Sequence, residues 1–271
     1  MSLAVLSQQA VLSQQAVLSQ QAVLSQQAVL SQQAVLSQQA VPRDIGVLEW
    51  LFDPDSWRGP TGIWSSLVET LQLSVLVVAL AVVLTVPLAA VLSHLRRGEF
   101  AATWAVTLSR AIPTFAIAGL LVPISLRQGW GSEPWPILIA LLLLALPPVY
   151  LNTYTAVRQV DPAAVDAARA VGFSEPGILM KIELALGSGL IISGIRVAAV
   201  QVVATEPIRA FLGGDGLGRY LRDGLGQNNH SLVIAGALLI ATLAALTGLA
   251  FGALGWFLPK GVRRLGRPDR R

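Results

Sequence analysis

Residues 73–92 read LSVLVVALAVVLTVPLAAVL, twenty positions without one charged side chain. A helix of that length is about 30 Å long, which matches the hydrocarbon core of a bilayer. That run makes the chain a membrane protein, and the first crossing is expected over residues 70–93. Working outward, four more apolar runs follow. The second, 101–126, is interrupted by Arg110 and Pro113, and the third, 136–157, carries Pro147-Pro148 and should kink there. The fourth, 184–205, contains Arg196, and the fifth, 232–258, is uncharged. The fold class is therefore all-α: a polytopic membrane protein with about five transmembrane helices in one domain, residues 66–260.

Composition agrees with this. Of 271 residues 54% are hydrophobic and 13% charged, with a mean hydropathy of +0.64. Soluble domains carry about 25% charged residues. The net charge of +4 could suggest a nucleic-acid partner. The basic residues, however, gather in short segments between apolar runs and in the tail 261–271, which excludes that reading. Placing the N-terminus outside puts Arg96, Arg97, Arg158, Arg169, Lys181 and the tail in the cytoplasm. Arg43, Arg58, Arg127, Arg209, Arg219 and Arg222 then lie outside. Cysteine is absent, and His94 and His230 stand without metal-ligand spacing, so no metal site is expected.

Before the first span lie two further regions. Residues 1–41 are dominated by six tandem copies of A-V-L-S-Q-Q, from Ala4 to Gln39. Six residues turn a helix by about 600°, so successive Val-Leu pairs share no face. Strand geometry makes no apolar face either, and the repeat reads as a low-complexity extension. Residues 42–65 form an extracytoplasmic or interfacial segment. Trp50, Phe52 and Trp57, with Trp64, are expected at the headgroup level.

The segment 158–185 is too polar to cross a membrane, yet it is patterned. Asp161-Pro162 makes an N-cap with proline at the first helical position. Val165, Ala168 and Val171 follow at helical spacing, and Gly172 can close that helix with a left-handed residue. Ser174 then caps a second helix with Pro176 near its start. Two short helices joined at a glycine form a compact projection suited to a partner's groove.

Within it, Asp166-Ala167-Ala168, three free positions, Gly172, nine free positions and Ile182-x-Leu184 resemble the EAA loop of bacterial ABC-import permeases. Asp166 stands for the family's glutamate and Ala185 for its final proline, whose loss should soften the break before the fourth span. Other stretches resemble the osmoprotectant branch, which imports glycine betaine, choline, carnitine or proline-like solutes. These are Trp57-x-Gly59-Pro60, Arg110-x-x-Pro113-Thr114, Pro148 with Asn152-Thr153-Tyr154, and Val160-Asp161-Pro162. Ser193-Gly194-Ile195-Arg196 and Gly213-Gly214-x-Gly216-Leu217-Gly218 join them.

The resemblance implies a type I ABC importer permease fold in a bacterial inner membrane, working by alternating access. An extracytoplasmic solute-binding protein would deliver solute, and a second permease, identical or related, would complete the pathway among membrane lipids. A dimer of ABC ATPase subunits would grip the loop at Asp166, Ala167, Ala168, Gly172, Phe173, Ser174, Ile182 and Leu184. ATP and Mg would be bound by those subunits. This chain has no G-x-x-x-x-G-K-[ST] loop, so no cofactor and no hydrolysis are expected of it.

Several residues carry more than one reading. Arg110 and Arg196 either snorkel to a membrane boundary or face the permease interior, with Pro113 and Asn152 as further interior candidates. Glu206, followed by Pro207, either ends the fourth span beside Arg209 or attracts a cationic solute from beside the pathway. Gly213, Gly214, Gly216 and Gly218 read as a tight turn at the outer face, since no strand precedes them to make a phosphate loop. The seven tryptophans lie toward span ends and read as an interfacial belt rather than a quaternary-ammonium cage. The competing functions are a permease for another small solute such as methionine, a secondary transporter or channel, and a membrane enzyme. Mirrored broken helices would mark a secondary transporter, and a cluster of Ser, His, Asp or Glu at one depth would mark an enzyme. Neither pattern is present in the sequence.

Overall fold

The computed structural model describes residues 46–98, 113–131 and 134–255. The hexapeptide repeat, Trp104, Arg110, Trp256 and the basic tail lie outside the described residues. Of the two compact units, Met1–Ile45 and Gly46–Arg271, the described residues belong to the second.

Every described element is a helix. α1 (Val47–Phe52) and a 3₁₀ turn (Pro54–Trp57) lead into α2 (Ile63–His94), followed by α3 (Thr114–Arg127) and α4 (Trp135–Arg158). α5 (Pro162–Ala170) and α6 (Glu175–Ile178) make the polar projection. A π turn (Leu179–Glu183) joins α6 to α7 (Leu184–Thr205), and a 3₁₀ helix (Glu206–Leu212), α8 (Gly218–Gly226) and α9 (His230–Leu254) complete the chain.

Among the described residues, α2, α4, α9 and the continuous segment Glu175–Leu212 are long and apolar enough to cross a membrane. α3 has 14 residues, about 21 Å, and does not cross alone. The first half of the expected second span, including Arg110, falls outside the described residues. Pro113 stands at the N-cap of α3, where its missing N–H costs nothing. The fourth span ends where expected. The softened break before it is replaced by continuous helix: Ala185, unlike proline, supplies an N–H, and the chain passes through the π turn straight into α7.

The bundle is packed as lipid demands. Along α2, Ser66, Thr70, Ser74, Ala81, Thr85, Ala89 and Ser93 turn inward, while Val75, Leu76, Val83, Leu84 and Leu88 are exposed. Lipid tails are as apolar as leucine, so close approach of small residues, rather than burial of large ones, joins the helices. α4 lies at the centre, against α2 on one side and α7 on the other. Its residues Leu141, Ala145 and Val149 meet Val77 and Ala81 of α2 and Ala198 and Val202 of α7 in one core. α7 can approach because it presents Gly187 to Ala156 and Gly194 to Asn152. Pro147 and Pro148 lie inside α4, which runs on past them; Asn152 Nδ2 donates to the Pro148 carbonyl at 2.8 Å.

One aromatic of the N-terminal segment is enclosed by protein. Trp50 is buried, packed edge-to-face on Tyr220 of α8 at 5.1 Å. Tyr220 Oη in turn donates to the Thr61 carbonyl at 3.2 Å and accepts from Ser66 Oγ at 3.4 Å. The tryptophan therefore fastens α1 to α8. Phe52, Trp57, Trp64 and Trp130 are exposed.

Candidate functional site

The polar projection is built by local rules. Asp161 Oδ1 accepts from Ala163 N at 2.9 Å, and Pro162 opens α5. Its C-terminus closes in a Schellman motif. The Gly172 N–H donates to the Arg169 carbonyl at 3.0 Å and the Phe173 N–H to the Ala168 carbonyl at 3.1 Å. That closure needs φ of +90° at residue 172, a left-handed value that glycine adopts without penalty. Ser174 occupies the N-cap of α6 by backbone conformation, but its side chain makes no cap bond. Ala168 is buried beneath the projection, and Asp166, Ala167 and Gly172 are exposed.

At the tip, Val171, Phe173 and Met180 stand exposed, Val171 by 75%. Lys181 Nζ lies 6.0 Å from the Phe173 ring. Ile182 lies within the π turn and Leu184 starts α7, both half-buried.

A chain of charges runs beneath the tip. Arg169 Nη1 donates to Asp166 Oδ1 at 3.2 Å, and its Nε and Nη2 donate to the two Glu175 oxygens at 2.8 and 3.0 Å. The Glu175 hydrogen bonds, with Asp166 adding to them, hold the Arg169 guanidinium above its ordinary, already high, pKa. Glu175 Oε2 also lies 3.2 Å from His94 Nε2, and His94 Nδ1 is 2.7 Å from Glu183 Oε2. The His94–Glu183 pair is largely shielded from solvent, whereas the arginine pairs are exposed. Beside this network is a polar cavity of about 430 Å³, lined by Arg96, Arg158, Val165, Asp166 and others.

Of the other sequence candidates, Glu206 and the glycine turn come together, whereas Asn152 and Arg196 have surroundings of their own. Asn152 packs under Gly194 in the α4–α7 seam. Arg196 is exposed on α7, its guanidinium lying over Gly248 and Gly252 of α9. It borders a shallow groove of about 580 Å³ shared with Gln201, Ala245 and Gly248. Glu206 is fully buried, with Oε1 3.2 Å from Arg209 Nη1, and Arg209 Nη2 lies 3.8 Å from Glu69 Oε2.

The glycine turn stands beside Glu206. Gly213 (φ +99°) ends the 3₁₀ helix, and a β-carbon on Gly216 would meet Thr70 Oγ1 at 2.7 Å. On Gly218 it would strike the Pro207 carbonyl. Thr70 Oγ1 accepts from Leu217 N at 3.0 Å, and Arg222 Nη1 donates to the Ala210 and Gly214 carbonyls. Gly214 thus contributes a carbonyl to a turn held from both sides.

Sequence reasoning missed His94, Glu175 and Glu183, and also Glu69 and Thr70. His94 has no metal-ligand spacing around it in the chain, and its partner Glu183 is 89 residues away. No periodicity reports a contact of that span.

Among the described residues no group of His, Cys, Asp or Glu is placed to hold a metal ion. The projection thus carries exposed apolar side chains at Val171, Phe173 and Met180 beside exposed ion pairs of Arg169, on a bundle of long apolar helices. The chain is 32% identical over 196 residues to the osmoprotectant import permease protein OsmW of Salmonella typhimurium, covering 72% of this chain and 91% of that one. It is 27% identical to the choline transport system permease protein OpuBB of Bacillus subtilis, covering 73% and 89%. With the carnitine transport permease protein OpuCB of Listeria monocytogenes it shares 29%, covering 73% and 90%. Its fold matches a chain of the inward-facing MetNI methionine ABC transporter with a TM-score of 0.61 at 18% identity, covering 76% and 96%. Residues 86–260 match the family model itself, and the chain belongs to the binding-protein-dependent transport system inner membrane components.

Proposed function

We propose that this chain is the membrane-spanning permease subunit of an ATP-driven importer for osmoprotectants, solutes such as glycine betaine, choline, carnitine or proline betaine. The observation that carries the coupling is the glycine-closed projection, which presents Val171, Phe173 and Met180 to solvent beside an EAA-like sequence. Exposed apolar side chains on a rigid, short-helix tip favour insertion into a partner's groove. The partner is a dimer of separate ATPase subunits, which hold ATP and Mg. The named substrates of the three relatives support the solute class.

Arg196 supports a paired arrangement. It lies twelve residues into α7, about 18 Å along the helix, where a charge is costly unless it faces protein or water. Its exposed face is read as the wall of a pathway completed by a second permease. The projection faces the cytoplasm and the glycine turn faces outward, toward a solute-binding protein; the gathering of Arg96, Arg97, Arg158 and Arg169 at the projection end favours that orientation.

The test is reconstitution in proteoliposomes with the ATPase and the binding protein. Uptake should require ATP and both partners. Solute carriage by the purified chain alone, or labelling of Asp166 from outside, would overturn the reading.

A further inference from the structure

The projection is joined covalently to α4 through residues 159–161 and to α7 through the π turn. No covalent link of that kind reaches α2, so a displacement of the projection acts on α2 only through side chains. His94, the last residue of α2, is placed for this. One ring nitrogen faces Glu183 at the end of the π turn, at 2.7 Å. The other faces Glu175 at the start of α6, at 3.2 Å. A single ring thereby spans both ends of the segment that enters α7.

Two further contacts stiffen the joint. Ser93 Oγ donates to the Tyr154 carbonyl of α4 at 2.8 Å, fixing the end of α2 from its other side. Arg169 grips both oxygens of Glu175 and extends the connection to Asp166 in α5. The central pair is shielded, with side-chain exposures of 11% for His94 and 9% for Glu183, so water competes with it far less than with the arginine pairs.

We propose that His94 is a positioning residue of the transport cycle, clamping Glu175 and Glu183 so that the projection and α2 move as one body. This rests on the reading that the projection receives the ATPase stroke. Motion in such assemblies is rigid-body movement of packed helices about a few joints. Without the clamp, a push on α5 and α6 reaches the end of α2 only indirectly, through its packing on α4 and α7.

The experiment uses the reconstituted complex. His94→Ala should retain the ATPase on purification and keep the KM for solute, yet lower solute moved per ATP hydrolysed by about tenfold, within the range of allosteric couplings. His94→Arg, which can still bridge two carboxylates, should recover part of that loss. The chain has no native cysteine, so a His94→Cys, Glu183→Cys pair can be bridged by a short bismaleimide. Bridging should restore most of the coupling, because the clamp is meant to persist through the cycle. Unchanged coupling in His94→Ala, or transport blocked by the bridge, would overturn the proposal. Should His94→Ala fail to fold, the cysteine pair before and after bridging decides the matter alone. A native chain that retains no ATPase would instead overturn the reading of the projection, an outcome distinct from either.

Discussion

A β-carbon placed on Gly194 of α7 would lie 2.5 Å from Cβ of Asn152 in α4, nearer than real β-carbons come. The Pro148 carbonyl oxygen, 2.9 Å from the same point, closes the other side. The two central helices are therefore in backbone contact at this level. Gly194→Ala should destabilise the protein by about 1–3 kcal/mol, the usual cost of overpacking, despite alanine's better helix propensity. Gly189, on the same helix, has nothing within 4 Å of its β-carbon position. Gly189→Ala should be neutral or stabilising by up to about 1 kcal/mol. Thermal unfolding in detergent compares the two.

Gly172 separates backbone from docking. Its φ of +90° opposes any side chain, but no atom lies within 4 Å of a β-carbon there. Gly172→Ala should cost about 1–2 kcal/mol locally and leave ATPase binding measurable. Gly172→Arg carries the same backbone cost and adds bulk and charge at the tip, so co-purification of the ATPase should be lost. Equal retention by both variants would remove the tip from the docking surface.

Glu206 is fully buried against Arg209, which among the described residues also lies 3.8 Å from Glu69. Removing one member of a buried pair costs about 3–5 kcal/mol. Glu206→Ala should therefore lower membrane yield and thermal stability sharply. Glu206→Gln should reduce uptake of cationic and neutral solutes equally. A loss confined to cationic solutes would place the carboxylate beside the pathway.

Arg96 adopts φ of +54°, where it closes the end of α2 as Gly172 closes α5. A non-glycine residue pays about 1–2 kcal/mol for that conformation. Arg96→Gly should raise stability by about 1 kcal/mol, less whatever the loss of a basic residue costs at the membrane boundary. Denaturant titration measures it.

Trp50 buries its ring on Tyr220 and holds a six-residue helix to α8. Trp50→Ala should cost about 3 kcal/mol, within the range for core aromatics. Limited proteolysis should then cut between Val47 and Arg58 first.

The spans near residues 70–93, 136–157 and 184–205 were legible because a continuous apolar run of fixed length admits few other structures in lipid. So were the left-handed residue at Gly172 and the Asp161 cap, since each is decided within five or six neighbours. The burial of Trp50 on Tyr220 was not legible, because composition cannot report a contact with a helix some 170 positions later.

The amino-acid order by itself determined that this chain lies in a bilayer, where its helices run, and which segment projects from them. Tertiary packing alone decided that His94 meets Glu175 and Glu183, that Glu206 is sealed against Arg209, and that Arg196 faces outward over glycines. The division has a physical cause. Helix formation and turn geometry are governed by bonded neighbours, whereas a side chain's partner depends on the rotation and depth of two helices, which only their mutual fit establishes.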